Sequence, residues 1–293
     1  MIKPSVQSRL TLLLAAVMAL SFRATEVRMQ ITSSFTLDSL GAAQGVSYQG
    51  NRIFAYGDRE IGVIREYSLQ GNVPVYQQRE MKLTERGKDV INHPTGIAHN
   101  GTGPTFIGNS IRLNPEGTAW KAVIYCVNWE GLRRQGTLDG NLIRAIEDDA
   151  CIQGTRPEYV QYQGRWYVAT ADYGNKGNEV RLYDPAALEK ATRTSEKGVL
   201  YKKFTCGPWV QNLHWVPEKG LLVLVQNQIE GKQWRFTWLD LEKSVQSGKA
   251  QVVQAVDLGN ADELEGFALL NPTQGIAITS SAQENAHLMR VDF

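Results

Sequence analysis

PTGIAH (Pro94–His99) decides the fold, because four other stretches of the chain repeat its pattern. AQGVSY begins at Ala43, PEYVQY at Pro157, QNLHWV at Gln211 and LEGFAL at Leu264. Their third residues, Gly45, Gly96, Tyr159, Leu213 and Gly266, are spaced by 51, 63, 54 and 53 residues. After each comes a hairpin and a second apolar run: RIFAYGD, TFIGNS, RWYVATAD, LLVLVQNQ and GIAITSS. Self-similarity at a period of about 50 residues marks a repeat architecture, and two short apolar runs per unit mark it as β.

Turn signals such as QGN (Gln49–Asn51), NGTG (Asn100–Gly103) and PEKG (Pro217–Gly220) separate these runs along the chain. Helical signal is nearly absent; PAALEKATR (Pro185–Arg193) could make two turns but reads as a loop excursion. Each unit has room for four strands, which is the blade of a β-propeller. Only 27 residues follow Gly266, too few for a full blade. MQITSSFTL (Met29–Leu37) precedes the first unit and can supply the missing outer strand. The sequence therefore predicts an all-β fold, one five-bladed β-propeller domain over 26–293, its last blade closed by the N-terminal strand.

In such a blade the first strand lines the central channel and the second returns antiparallel to it. The start of one and the end of the other then meet at one mouth. That places Gln44, Thr95, Glu158, Asn212 and Glu265 there, with the strand-end residues Asp58, Asn109, Asp172, Asn227 and Ser280. His93, Arg156, Trp209 and Glu263 lie just upstream, and His214 follows in the fourth unit. Glu158 and Glu265 are the candidate acid and base, with His93 as an alternative base. Gln44, Arg156, Trp209, Asn212, His214 and Glu263 are candidate ligand contacts. Asp58, Asn109, Asp172 and Asn227 form an oxygen set suited to a channel Ca²⁺. Against this stands a plainer use, since Asp, Asn and Ser at strand ends also satisfy backbone N–H groups, and Arg156 can pair with Glu158. No nucleophile elbow, HExxH or phosphate loop occurs, so covalent catalysis has no support. Three functions stand: a binder of a small polar molecule or glycan at the channel mouth that hydrolyses it at a channel cation, a metal-free enzyme that cyclises its substrate or acts on a glycan, and a non-enzymatic ligand-binding or scaffold propeller.

The N-terminus reads as an export signal over residues 1–21, with Lys3 and Arg9 ahead of the apolar run Leu10–Leu20 and a small-x-small site at Ala19–Ser21. Its removal leaves 29 basic and 30 acidic residues, a net charge of −1. A near-neutral chain without a long charge run has no footprint for nucleic acid or an anionic membrane. The expectation is a secreted or periplasmic monomer. Cys126, Cys151 and Cys206 have no zinc spacing, and in an oxidising compartment one pair can bridge, with three pairings open.

QGVSYQGNRIFAYGDREIGVIREYSLQG (Gln44–Gly71) resembles the opening blade of the bacterial and plant type of glutaminyl cyclase, and the fourth and fifth units fit that layout loosely. The resemblance implies a secreted five-bladed propeller. Where that family carries Asn-Glu-Leu-Glu, this chain has Gln211-Asn212-Leu213-His214, so it implies a shared fold with a different site. NHPTGIAHN (Asn92–Asn100) followed by Asn109 is similar to a strand of the paraoxonase-like lactonases, six-bladed propellers, which implies a channel Ca²⁺ and a histidine near the mouth; here His93 precedes the proline.

Overall fold

The computed structural model describes residues 26–151, 153–229 and 233–293. The export-signal reading, 1–21, lies outside the described residues. Strands fall in the positions the repeats require. The first blade is β2 (Ala43–Gln49), β3 (Arg52–Asp58), β4 (Gly62–Gln70) and β5 (Val73–Lys82). A small hairpin, β6 (Thr84–Glu85) and β7 (Lys88–Asp89), leads to the second: β8 (Pro94–Ala98), β9 (Thr105–Arg112), β10 (Trp120–Val127) and β11 (Leu142–Glu147). The third is β12 (Glu158–Tyr162), β13 (Arg165–Ala171), β14 (Glu179–Tyr183) and β15 (Leu200–Thr205). The fourth is β16 (Val210–Val216), β17 (Leu221–Ile229), β18 (Gln233–Asp240) and β19 (Val252–Leu258). Ring closure follows the expectation. In the fifth blade β20 (Leu264–Asn271), β21 (Gln274–Thr279) and β22 (Ala286–Asp292) are completed at the outer edge by β1 (Arg28–Phe35).

What holds the ring is visible in the second strands. In LLVLV, Leu222 and Leu224 face the third blade, while Val223 and Val225 face the fifth. Alternate side chains point to opposite faces of a strand, and here both faces are covered by a neighbouring sheet. That is why these runs are apolar throughout and do not alternate with polar residues. Five buried clusters result, one between each pair of adjacent blades. Tyr167 and Phe204 meet Leu213 and Leu239, for example, and Trp234 and Phe236 meet Phe267 and Met289.

Helix is present where the sequence reading saw little. α1 (Trp129–Gln135), α2 (Pro185–Leu188) and α3 (Leu241–Ser247) each join the third and fourth strands of the second, third and fourth blades. Each is started by an Asx cap, Asn128, Asp184 or Asp240, whose side chain accepts a first-turn N–H. The apolar periodicity that flags longer helices has no length to develop in four to seven residues. All three cysteines are free thiols, so no pairing is made.

Closure of the ring is fixed by more than strand pairing. Asn285, buried just before β22, accepts from the Leu37 N–H at 2.7 Å and donates to the Leu37 carbonyl at 3.1 Å. Asn285→Ala strands both buried backbone groups and should lower stability by about 3 kcal/mol in urea unfolding. A loss below about 0.5 kcal/mol would mean that β1 closes the ring without this bracket.

Candidate functional site

Five inner strands converge so closely on the axis that side chains are squeezed out at one level. A Cβ on Gly266 would lie 2.7 Å from the Gly45 Cα, and one on Gly96 would lie 2.9 Å from the Pro157 nitrogen. Strand register fixes which residues share that level: Gly45 opposite Tyr56, Gly96 opposite Gly108, Glu158 opposite Ala169, Asn212 opposite Val225 and Gly266 opposite Ile278. The repeat alignment is therefore corrected by one residue in two blades, from Tyr159 to Glu158 and from Leu213 to Asn212. Where the other three blades have glycine, these two carry the side chains at the waist of the channel. Asn212 donates to the Tyr56 hydroxyl at 2.8 Å, and that hydroxyl fills the space a Gly45 side chain would need.

Just above the waist, four inner strands break register at Gln44, Thr95, Gln211 and Glu265. A bulge at a rim re-aims a side chain, and all four of these are buried, as is Arg156. They pack the mouth where the inner strands begin. Arg156 donates to the Gln211 side chain at 3.0 Å, Gln211 to Glu263 at 3.2 Å, and Asn227 to Glu263 at 3.0 Å. Tyr173 donates to Asn227, and its ring lies beside Trp209 with centroids 5.2 Å apart. Trp209 sits at φ 60°, uncommon for a bulky side chain. Burial, with repulsion from Glu263, pushes Glu265 well above the usual carboxylate range, and Arg156 partly offsets it. Burial likewise pulls Arg156 below the ordinary arginine value.

His93 lies at this mouth with the partner that sequence could not supply. Its Nδ1 is 2.9 Å from Asp58 Oδ2, and its backbone N–H donates to Asn109. The four oxygen candidates do not form one ring. Backbone bonds set Asp58, Ser110, Asn227 and Ser280 at matching positions, which leaves Asn109 one residue early. Asn109 also donates to Asn92, and Asp172 accepts from the Gln153 N–H. Among the described residues no group of three or more His, Cys, Asp or Glu side chains is placed to hold a metal.

Glu158 and His214 do not belong to this mouth. Both line a cavity of about 370 Å³ at the opposite end, where the hairpin turns gather. Its walls include Tyr48, Tyr159, Trp166, Trp215 and Phe293. β12 starts one residue lower than the repeat alignment assumed, so Glu158 points below the waist. Its carboxyl accepts one long bond, 3.4 Å, from the Trp215 N–H, and among the described residues it has no ion-pair partner. The residue keeps some surface open to the cavity although protein surrounds it, and this desolvation pushes its pKa up to about 8. His214 Nε2 accepts from the Leu269 N–H at 3.1 Å, so the neutral ring carries its proton on Nδ1. Burial pulls its pKa down to about 4. Tyr56, Tyr173, Trp166, Trp215 and Phe293 were not singled out from sequence as site residues. Tyr56 was findable in principle, since a large residue opposite an axial glycine must fill the space the glycine leaves.

Comparison with known proteins adds no family. No family model matches the chain, and no curated protein matches it. It is similar to a chain of the structure described as "Crystal Structure of Mitotic Checkpoint Complex", at 10% identity and a TM-score of 0.44, covering 85% of this chain and 63% of that one. It is likewise similar to a chain of "Kuenenia stuttgartiensis Hydrazine Synthase", at 11% identity and a TM-score of 0.43, covering 85% and 59%. The chain thus spans less than two thirds of either, and likeness this low bears on neither fold nor function. Neither the glutaminyl cyclase nor the lactonase resemblance gains a family assignment from these comparisons.

The Glu158 carboxyl makes stability depend on pH. Its folded pKa, about 8, lies above the ordinary carboxylate value of 4.5, so between these pH values the folded state holds the proton more tightly. Stability therefore falls as pH rises through that window. Glu158→Gln removes this loss while keeping an acceptor for the Trp215 N–H. The variant should match wild type near pH 4.5 and exceed it above pH 8 by a few kcal/mol, of order 1 per pKa unit, less for the cavity's access to water. Parallel stability curves across the range would show that the carboxyl is not desolvated.

Proposed function

We propose that this chain is an exported ligand-binding propeller that takes a small organic molecule in the cavity at the hairpin mouth. The observation that carries this reading is the cavity itself: about 370 Å³, walled by aromatic side chains and floored by a carboxyl with no counter-ion among the described residues. Ligand sites are concave and mostly apolar, with a few placed polar groups. The strand-start mouth, by contrast, is filled by its own buried side chains. Export rests on the sequence of residues 1–21.

A second reading, a metal-free enzyme using general acid catalysis, is favoured by the Glu158 carboxyl. At pH 7 Glu158 is mainly protonated, so an acid lines the cavity, while His214, whose Nε2 already accepts from the Leu269 N–H, is a neutral wall residue. Once a substrate is known, binding without turnover in Glu158→Gln separates enzyme from binder; unchanged turnover removes this reading.

Saturation-transfer NMR with a panel of small amphipathic fragments tests for the ligand site. Binding is expected for some fragments in wild type, weakened about tenfold in Trp166→Ala, which removes a wall at the open rim. No fragment bound at millimolar concentration would leave the chain as a scaffold.

A further inference from the structure

We infer that the hairpin-mouth cavity takes a small, fully N-alkylated organic ammonium, with the aromatic walls facing the cation and the Glu158 carboxylate as its counter-ion; this rests on the ligand-binding reading above. Electron-rich ring faces attract cations within about 6 Å, most strongly when water is excluded. Trp166, Trp215, Tyr48, Tyr159 and Phe293 line one volume. At the rim the chain already makes this contact with itself. Lys219 Nζ lies 5.0 Å from the Phe293 ring centroid.

The acceptors left free in the cavity decide between kinds of ammonium. A primary ammonium brings three N–H donors that each need a partner. The amide and imidazole acceptors of the walls are already engaged, and the Glu218 carboxylate lies out at the exposed rim. Asn271 Oδ1 accepts from Thr273, Asn100 Oδ1 accepts from Gly103, and His214 Nε2 accepts from Leu269. The Glu158 carboxyl is the deep acceptor that is nearly unused. One carboxylate and several ring faces fit a cation without N–H groups, whose charge is diffuse and whose methyl surface packs against rings.

Charge around Glu158 is consistent with this ligand. His214, on the adjacent strand β16, is neutral at working pH and does not repel a cation. Tyr56, from β3, stays protonated because burial raises its pKa. Arg156 lies on the far side of the waist, bonded to Gln211. His99 and Tyr48 close the side toward the first two blades, and at the rim Glu218 attracts a cation while Lys219 opposes it. A bound cation favours the ionised form of Glu158. Binding therefore releases a proton from it at pH 7, and affinity rises with pH up to about 8.

The test uses choline and its neutral isostere 3,3-dimethylbutan-1-ol with the mature chain, by calorimetry at pH 7 in two buffers of different ionisation enthalpy. The expected result is at least about tenfold preference for choline. Release of up to about one proton per ligand should accompany it, with both effects lost in Glu158→Gln. Equal affinity for the two molecules would overturn the ammonium inference and leave the cavity as a site for neutral ligands. Choline preference that survives Glu158→Gln, without proton release, would overturn the carboxylate's role. No binding of either molecule, while fragments from the NMR panel bind, would overturn the inference alone. Failure of the panel as well would overturn the binding reading with it.

Discussion

Crowding on the axis is the constraint from which the rest of the molecule follows. Five sheets packed face to face leave little room where their inner strands meet, and at Gly96 and Gly266 the backbones stand closer than a Cβ allows. The strands respond by bulging just above that level, which turns Gln44, Thr95, Gln211 and Glu265 into one mouth. At the waist only Glu158 and Asn212 keep a side chain, and Tyr56 enters over Gly45 to meet Asn212. A channel so constricted divides into two ends with different chemistry. One is filled by a hydrogen-bonded network; the other remains a cavity.

The fold was legible because its physics repeats. An interblade core needs apolar residues on both faces of each middle strand, and that need recurs about every 50 residues. LLVLV and RIFAYGD carry it without ambiguity. Ring closure by Met29–Leu37 was legible for a related reason, since the last unit was too short to complete its own sheet. The site was less legible. Tyr159 and Leu213 looked like anchors because they stand third in the repeat, yet register depends on where each bulge falls. A one-residue slip changes which face a side chain takes. That slip moved Glu158 from the mouth it was assigned to the cavity at the other end. The short helices escaped for want of length, although Asn128 with Gly136, and Asp240 with Gly248, are cap signals in plain view.

Burial acts on the carboxylates of the two ends in different company. Burial is the largest cause of the rise at Glu265, with Glu263 adding to it and Arg156 opposing it. Glu158 has one backbone donor at long range, and desolvation dominates it. At the strand-start mouth charged neighbours share in setting the ionisation of Glu265. Glu158, at the edge of a cavity, has among the described residues only the long bond from the Trp215 N–H.

Such a group is costly to keep, since a buried acid that holds its proton at a pH where the unfolded chain would ionise it subtracts from stability. Glutamine at the same position would hold the backbone bond from Trp215 and fill the same volume without that cost. Stability alone therefore gives no reason for the acid. A molecule that binds the folded state and supplies the missing charge does, because binding to the folded state alone raises stability by mass action. The destabilisation carried by free Glu158 and the affinity of a cation for the cavity are two sides of one linkage. The same desolvation that raises the pKa makes the carboxylate a stronger partner once a cation displaces the proton.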